Sequence, residues 1–423
     1  LNLFERLQRF IKEGSQGNKS SFEFERTDEL NRVSRLLGGK IVATPYGNHL
    51  AVEKVFEGDF CHAGVRLSSV LEISGEALKL AAKKRDDFKF DVRKAVFVDT
   101  ETTGLAGGSG TYAFLIGIGY FEGNSFKLVQ YFMDDFDGEP GVLYSLKKLF
   151  SNFESLVSFN GKAYDVPLLS TRFLINRMEN PLEFMNHFDL FHGARRIFGE
   201  RLESLSLSSL EQNLFRMERS GDVPGFEIPS IYFKYLRDKN PFPLKPVFYH
   251  NQLDILSMVS LLAKIAQVLK DPFNSGVCSG QDFYCLGRLY EDMGMLEESI
   301  RCYTLALSAQ PVRDKAYRQL SLLYKKMGRW REAEKLWIQM AKEGINRQFA
   351  LIELSKLYEH RMKDYEKAAS AAREALEVAR DKKKLLGRSF DPSEIDEIRR
   401  RLDRISFKMS KDREEQVKII ECI

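Results

Sequence analysis

The stretch VFVDTETTG, residues 96 to 104, sets two acids, Asp99 and Glu101, at the end of an apolar run. A β-branched and aromatic run of this length predicts a buried strand, and alternate side chains of a strand share one face. Both carboxylates therefore point the same way. Like charges side by side repel unless a cation lies between them. Either the strand frays into solvated turn residues at Thr102, Thr103 and Gly104, or the pair belongs to a metal site.

Two further acids stand at the ends of predicted elements. SFNGKAYDVPLL closes a short apolar strand at Phe159 and then offers Asn160 and Asp165. YHNQLDILSM opens a helix with His250 and Asp254 one i, i+4 step apart, hence on one face. Four carboxylates, Asp99, Glu101, Asp165 and Asp254, thus fall within one predicted domain. Oxygen-only ligands suit hard cations such as Mg²⁺ or Mn²⁺ rather than zinc.

Around that domain the chain changes character twice. Residues 1–90 read as an α+β segment, with an amphipathic helix at LNLFERLQRFIKEG, two strands about a Pro-Tyr-Gly-Asn turn in KIVATPYGNHLAVEKVF, and a helix capped at Ser74. Residues 91–270 carry consecutive strands (AVFVDT, YAFLIGIGYFEG, FKLVQYFMDD) and then alternating helices and strands, the pattern of an α/β layer with a mixed sheet. From residue 280 to 380 the pattern is helical and repetitive. Phe283, Leu286, Gly287, Tyr290, Ser299, Tyr303 and Ala306 recur as Tyr317, Leu320, Ser321, Tyr324, Ala333, Trp337 and Met340. The period is about 34 residues, that of tetratricopeptide helix pairs. A third copy runs through Leu351, Leu354, Ser355, Tyr358 and Ala368, with one extra residue in its inter-helix turn. Residues 381–423 read as a charged capping helix and tail.

The three acidic motifs together resemble the DEDD 3′–5′ exonucleases of the ribonuclease-H-like superfamily. Asp99, Glu101 and Thr102 match the first motif, and Asn160 with Asp165 the second. In the third, His250 stands at the spacing that Tyr takes in one large subgroup, and Tyr249 at the spacing of His in the other. His-Asn-x-x-Asp, with HFDLFHGARRIFGERLESLSLSSLE and DVPGFEIPSIYFKYL, looks like the YprB-like branch. The resemblance implies two divalent ions, with Asp99 bridging them, Glu101 and Asp165 holding them from either side and Asp254 completing the site. His250 would orient or deprotonate the attacking water, while Thr102, Asn160 and Asn251 would contact substrate. The implied partners are single-stranded DNA or RNA for the nuclease-like domain and a protein for the repeats.

Composition sets outer bounds. The 43% hydrophobic and 29% charged residues are ordinary for a globular protein, and the net charge of +4 permits a polyanionic partner without requiring one. No stretch reads as approaching the roughly 20 apolar residues of a membrane span, and the first residues do not read as a secretory leader. Five scattered cysteines without close-spaced pairs predict a reducing, cytoplasmic location. The glycine-rich GLAGGSGT, residues 104–111, lacks the lysine of a phosphate loop and reads as a turn beside the site. His187 and His192 read as structural, with Asp189 behind the site. The basic runs at 83–85, 195–196, 382–384 and 399–401 read as solvated faces. A competing function is a catalytically silent adaptor that binds nucleic acid and recruits partners through the repeats. Four converging carboxylates argue against it, because a mere binder of phosphates has no use for them.

Overall fold

The computed structural model describes residues 29–84, 90–104, 110–274 and 278–421, without the side chains at 388 and 413–421. The helix expected over residues 1–14, most of the turn at 104–111 and Cys422 lie outside the described residues. The chain divides into two compact units, residues 1–196 with 202–277, and residues 197–201 with 278–423.

The first unit is built on one seven-stranded mixed sheet. After helix α1 (residues 29–37) come the strands β1 (Lys40–Thr44) and β2 (Gly47–Phe56), joined at the expected Pro45–Tyr46 turn. The short pair β3 (Cys61–His62) and β4 (Val65–Arg66) forms a separate ribbon. Helix α2 (Gly75–Ala82) is capped by the Ser74 hydroxyl, which accepts from the Ala77 N–H. Strands β5 (Ala95–Thr102), β6 (Ala113–Glu122) and β7 (Ser125–Phe132) follow, then helix α3 (Glu139–Phe150), β8 (Ser155–Ser158), helix α4 (Asp165–Ile175) and β9 (Asn186–Asp189). Four helices complete the unit: α5 (Leu190–Phe198), α6 (Leu207–Phe215), α7 (Ile228–Asp238) and α8 (Lys245–Lys270).

The sheet order is β1-β2-β7-β6-β5-β8-β9. The run β5–β6–β7 is antiparallel because its connections are hairpins; Glu122 faces Ser125 across a two-residue loop whose Gly123 has φ +60°. Strands β8 and β9 run parallel to β5 because helices carry the chain back between them. The two strands before residue 91, β1 and β2, pair antiparallel onto β7 and so widen this same sheet.

Helix α8 lies across the sheet, and β6 is shaped to receive it. Gly117 and Gly119 stand two residues apart on one face. A Cβ at Gly117 would come within 2.1 Å of Asn251 Oδ1, and one at Gly119 within 2.6 Å of Ile255 Cγ2. Asn251 and Ile255 are an i, i+4 pair, so the glycine row accepts one edge of the helix. The expectation that no stretch is apolar enough to span a membrane is corrected here. By length and composition the helix over Phe242–Lys270 passes that test, but 72% of its apolar window is buried inside the protein. It is the central core helix of this unit, apolar on nearly every side because it packs on nearly every side.

The second unit is helical. Three pairs follow one another: α9 (Gly280–Met293) with α10 (Leu296–Ala306), α11 (Arg313–Lys326) with α12 (Trp330–Glu343), and α13 (Arg347–Leu357) with α14 (Tyr365–Leu386). Helix α15 (Ser393–Glu421) closes the array. The small residues of the repeat sit where paired helices cross. A Cβ at Gly287 would meet the Tyr303 ring at 2.6 Å, and Ser299 Oγ donates to the Gly287 carbonyl at 2.8 Å. In the third pair Ser355 Oγ donates to the Ala368 carbonyl at 2.9 Å. The extra residue of that copy is absorbed as a π-helical turn, Tyr358–Met362. That turn buries Glu359 completely, and its carboxylate is met by Arg401, Arg404 and Lys408 of α15 at 2.8–3.2 Å. The Arg404 hydrogen bond outweighs the cost of burial and brings the Glu359 pKa down to about 2.

Candidate functional site

Three elements deliver the four acids: the end of β5, the start of α4 and the third turn of α8. Asp99 is opposite Gly117, which is opposite Gln130, in one row across the sheet. Because Gly117 has no side chain, Asn251 descends between its neighbours. Its Oδ1 accepts from Gln130 Nε2 at 2.9 Å and its Nδ2 donates to Asp99 Oδ2 at 2.9 Å. Gln130 Nε2 also donates to the Phe248 carbonyl at 2.8 Å, pinning α8 to the sheet. The register slips between Glu101 and Thr102, a bulge of the kind that re-aims side chains beside active sites.

Asp165 opens α4 and accepts a short hydrogen bond from the Thr100 hydroxyl. The loop that leads to it, residues 159–164, is gripped by Asp189 at the end of β9. Asp189 accepts from the N–H groups of Asn160, Lys162 and Phe191 at 2.8, 3.0 and 3.0 Å. Asn160 adopts φ +60°, a left-handed conformation that asparagine tolerates better than most residues. Beside it, Ser158 Oγ pairs with His187 Nε2 at 2.7 Å.

Helix α8 starts at Lys245, so residue 250 is already helical and His250 stands over Asp254, Nε2 to Oδ2 3.5 Å. Tyr249, one step round the helix, is 36% exposed. Asp254 receives Arg219 Nη2, and Arg219 is itself clamped by the buried Glu211 through two bonds of 2.6 Å. Arg219 Nη1 donates to Asp222 at 3.1 Å, and Asp222 holds His250 Nδ1 at 2.9 Å.

The electrostatics follow from this crowding. Burial pushes Asp99 well above the ordinary carboxylate range, and the charges of Asp254 and Asp165 push it further, with Asn251 pulling back. Glu101 is raised by burial and then by Asp99, Asp254 and Asp165. Burial lifts Asp165 to about 6 against the Thr100 bond. Burial raises Asp254 too, opposed by Arg219 and His250. Each acid is thus costly to ionise because it is largely removed from solvent, Asp99 and Glu101 also because the others are near, and a cation would offset that cost. Oxygen-only and largely removed from solvent, with Asp99 and Glu101 repelled by their neighbours, the set fits a hard divalent ion. Among the described residues, no three His, Cys, Asp or Glu side chains stand close enough to grip a metal as placed, since Thr100, Asn251 and Arg219 hold three of the four carboxylates.

Of the remaining expected residues, Thr102 donates to the Gly104 carbonyl at 2.9 Å and Asn160 engages Asp189 through its backbone. Asn251, expected to touch substrate, is instead fully buried, its amide committed to Asp99 and Gln130. Sequence reasoning missed Thr100, Gln130, Glu211, Arg219 and Asp222.

The family model of the RNase_H superfamily matches residues 96–266, and a tetratricopeptide repeat model matches residues 283–313. Uncharacterized protein YprB of Bacillus subtilis (strain 168) is 32% identical over 287 residues, 67% of this chain and 69% of that protein.

Proposed function

The chain belongs to the family of YprB, a ribonuclease H superfamily domain followed by tetratricopeptide repeats, and we propose that it is a metal-dependent nuclease hydrolysing phosphodiester bonds of nucleic acid from the 3′ end of single strands. The observation that carries this reading is the convergence of four carboxylates, Glu101 buried and Asp99, Asp165 and Asp254 half-buried, each raised by loss of solvent and Asp99 and Glu101 also by the charge of the others. A fold has no structural use for such a cluster. The polarity and the single-strand preference rest on the likeness of the three motifs to DEDD exonucleases.

Asp99, Glu101, Asp165 and Asp254 would hold two Mg²⁺ or Mn²⁺ ions, which supply charge neutralisation at the phosphate and an acidified water. Thr100 and Asn251 keep Asp165 and Asp99 in place. His250 turns Nε2 toward the acids and takes the proton of the attacking water, whose oxygen bonds to phosphorus as the 3′ oxygen departs. The array would dock a protein partner. Four described cysteines, Cys61, Cys278, Cys285 and Cys302, are not joined in disulfides, in keeping with a reducing cytoplasmic setting.

The competing reading, a silent nucleic-acid-binding adaptor, is favoured by one observation: Arg219 forms an ion pair with Asp254. One experiment separates the two. Purified protein is incubated with 5′-labelled single-stranded DNA and RNA in Mg²⁺, Mn²⁺ or chelator. Metal-dependent shortening that Asp99→Asn abolishes is expected; binding without shortening, whatever the metal, supports the adaptor.

A further inference from the structure

The two ring nitrogens of His250 have different neighbours. Nδ1 lies 2.9 and 3.0 Å from the two carboxylate oxygens of Asp222. Nε2 lies 3.5 Å from Asp254 Oδ2, too long for a good hydrogen bond, and beside Gly225, where even an added Cβ would come only to 3.9 Å. A carboxylate does not face a lone pair at that distance, so Nδ1 carries a hydrogen that Asp222 accepts, and the ring's other nitrogen, Nε2, is turned toward Asp254.

Asp222 is itself held from two sides. The Val223 N–H donates to Oδ1 at 2.8 Å, and Arg219 Nη1 donates to Oδ2 at 3.1 Å. Arg219 does not need Asp222 for neutralisation, because buried Glu211 already clamps it bidentately. What Asp222 adds is a fixed acceptor for the imidazole. Arg219 also reaches Asp254, so a single guanidinium sets the distance between the acid that anchors the histidine and the acid beneath it.

We infer that Asp222 is a positioning residue, which holds the His250 ring by its Nδ1–H and so turns Nε2 toward the carboxylate cluster, with Glu211 and Arg219 as its support. The inference rests on the nuclease reading for its catalytic consequence, although the Nδ1–H bond itself does not.

The test uses the full chain labelled with ¹⁵N-histidine, free of paramagnetic metal. Six histidines make the long-range ¹H–¹⁵N spectrum assignable, with His250→Gln identifying the resonances sought. Wild type is expected to show His250 protonated at Nδ1. In Asp222→Asn the amide can donate to Nδ1 instead, and the signal moves toward the Nε2–H form. In Mg²⁺ with a labelled single strand, Asp222→Asn is expected to lower kcat about 100-fold with KM within about twofold, and Asp222→Glu to recover at least about tenfold of that loss. If Asp99→Asn is dead while Asp222→Asn keeps wild-type kcat and tautomer, the nuclease reading stands and the role of Asp222 is refuted. If wild type cleaves nothing in either metal, the nuclease reading fails, and the spectrum alone decides: a shifted tautomer in Asp222→Asn supports the positioning role, an unchanged one overturns it.

Discussion

Gly117→Ala tests how the site is hung on the sheet. The new Cβ would lie 2.1 Å from Asn251 Oδ1, 2.7 Å from its Cγ and 2.8 Å from its Nδ2, so the whole amide must move by more than 1 Å to reach ordinary contact. Asn251 is fully buried and has nowhere nearby to go. Its displacement breaks the 2.9 Å bond from Gln130, about 1 kcal/mol, and the 2.9 Å bond to ionisable Asp99, about 1.5–3 kcal/mol. Overpacking adds about 1–3 kcal/mol, for a total of about 3.5–7 kcal/mol, a large share of the stability of a domain. Urea unfolding followed by circular dichroism measures the loss, and hydrogen exchange of β5 and β6 peptides localises it. The decisive comparison is a double-mutant cycle. In an Asn251→Ala background the same glycine change meets no amide and should cost under about 1 kcal/mol, giving a coupling of at least about 2 kcal/mol. An equal cost in both backgrounds would refute the idea that Gly117 exists to admit Asn251.

Other outcomes are expected from the same geometry. His250→Ala should lower cleavage about 100-fold or more, while Tyr249→Phe, altering an exposed ring one step round the helix, should change it less than about threefold; single-turnover rates check both. His62 is buried against Ser257 Oγ at 2.8 Å, and burial lowers its pKa to about 4, with Glu211 opposing and Arg219 adding to the shift. The unfolded chain therefore binds more protons between pH 6.5 and 4, and stability present above pH 6.5 is lost as pH falls through that window, by up to about 3 kcal/mol. His62→Gln should flatten this limb in denaturation curves taken from pH 7 to 4. Glu359→Gln should destabilise the array by about 2 kcal/mol by removing the charge that Arg401, Arg404 and Lys408 share. Both tryptophans, Trp330 and Trp337, lie in the array, so fluorescence reads that loss directly, and an unchanged midpoint would contradict it.

The acids of the site were legible because each stands in a short motif: Asp99 and Glu101 at the end of β5, Asp165 at the start of α4, and Asp254 inside α8 one turn beyond His250. What supports them was not. Gln130 reads as any polar residue in a strand; its value comes from facing Gly117, a matter of register between strands. Arg219 and Asp222 sit in an irregular segment, SGDVPG and its flanks, with no period to read. Their partners Glu211, His250 and Asp254 come near only when α6 and α8 pack in one unit. Strand β9 is four residues long and polar at its start, too short for alternation to show. The repeats were legible down to the inserted residue, but its conformation was not, since a longer turn or a π turn would carry the same sequence.

That inserted residue decides what can pack against the third pair. In an unbroken α-helix it would swing every later side chain about 100° round the axis. Confined to one wide turn, it leaves Ser355 and Ala368 still clasped in the repeat's crossing and rotates only Glu359 inward. A fully enclosed carboxylate is tolerable only if the next surface brings positive charge. An ordinary further repeat would offer small and aromatic residues there, and would strand the acid. Helix α15 offers Arg401, Arg404 and Lys408. The wide turn therefore favours a basic helix as the layer next to the third pair over another copy of the repeat.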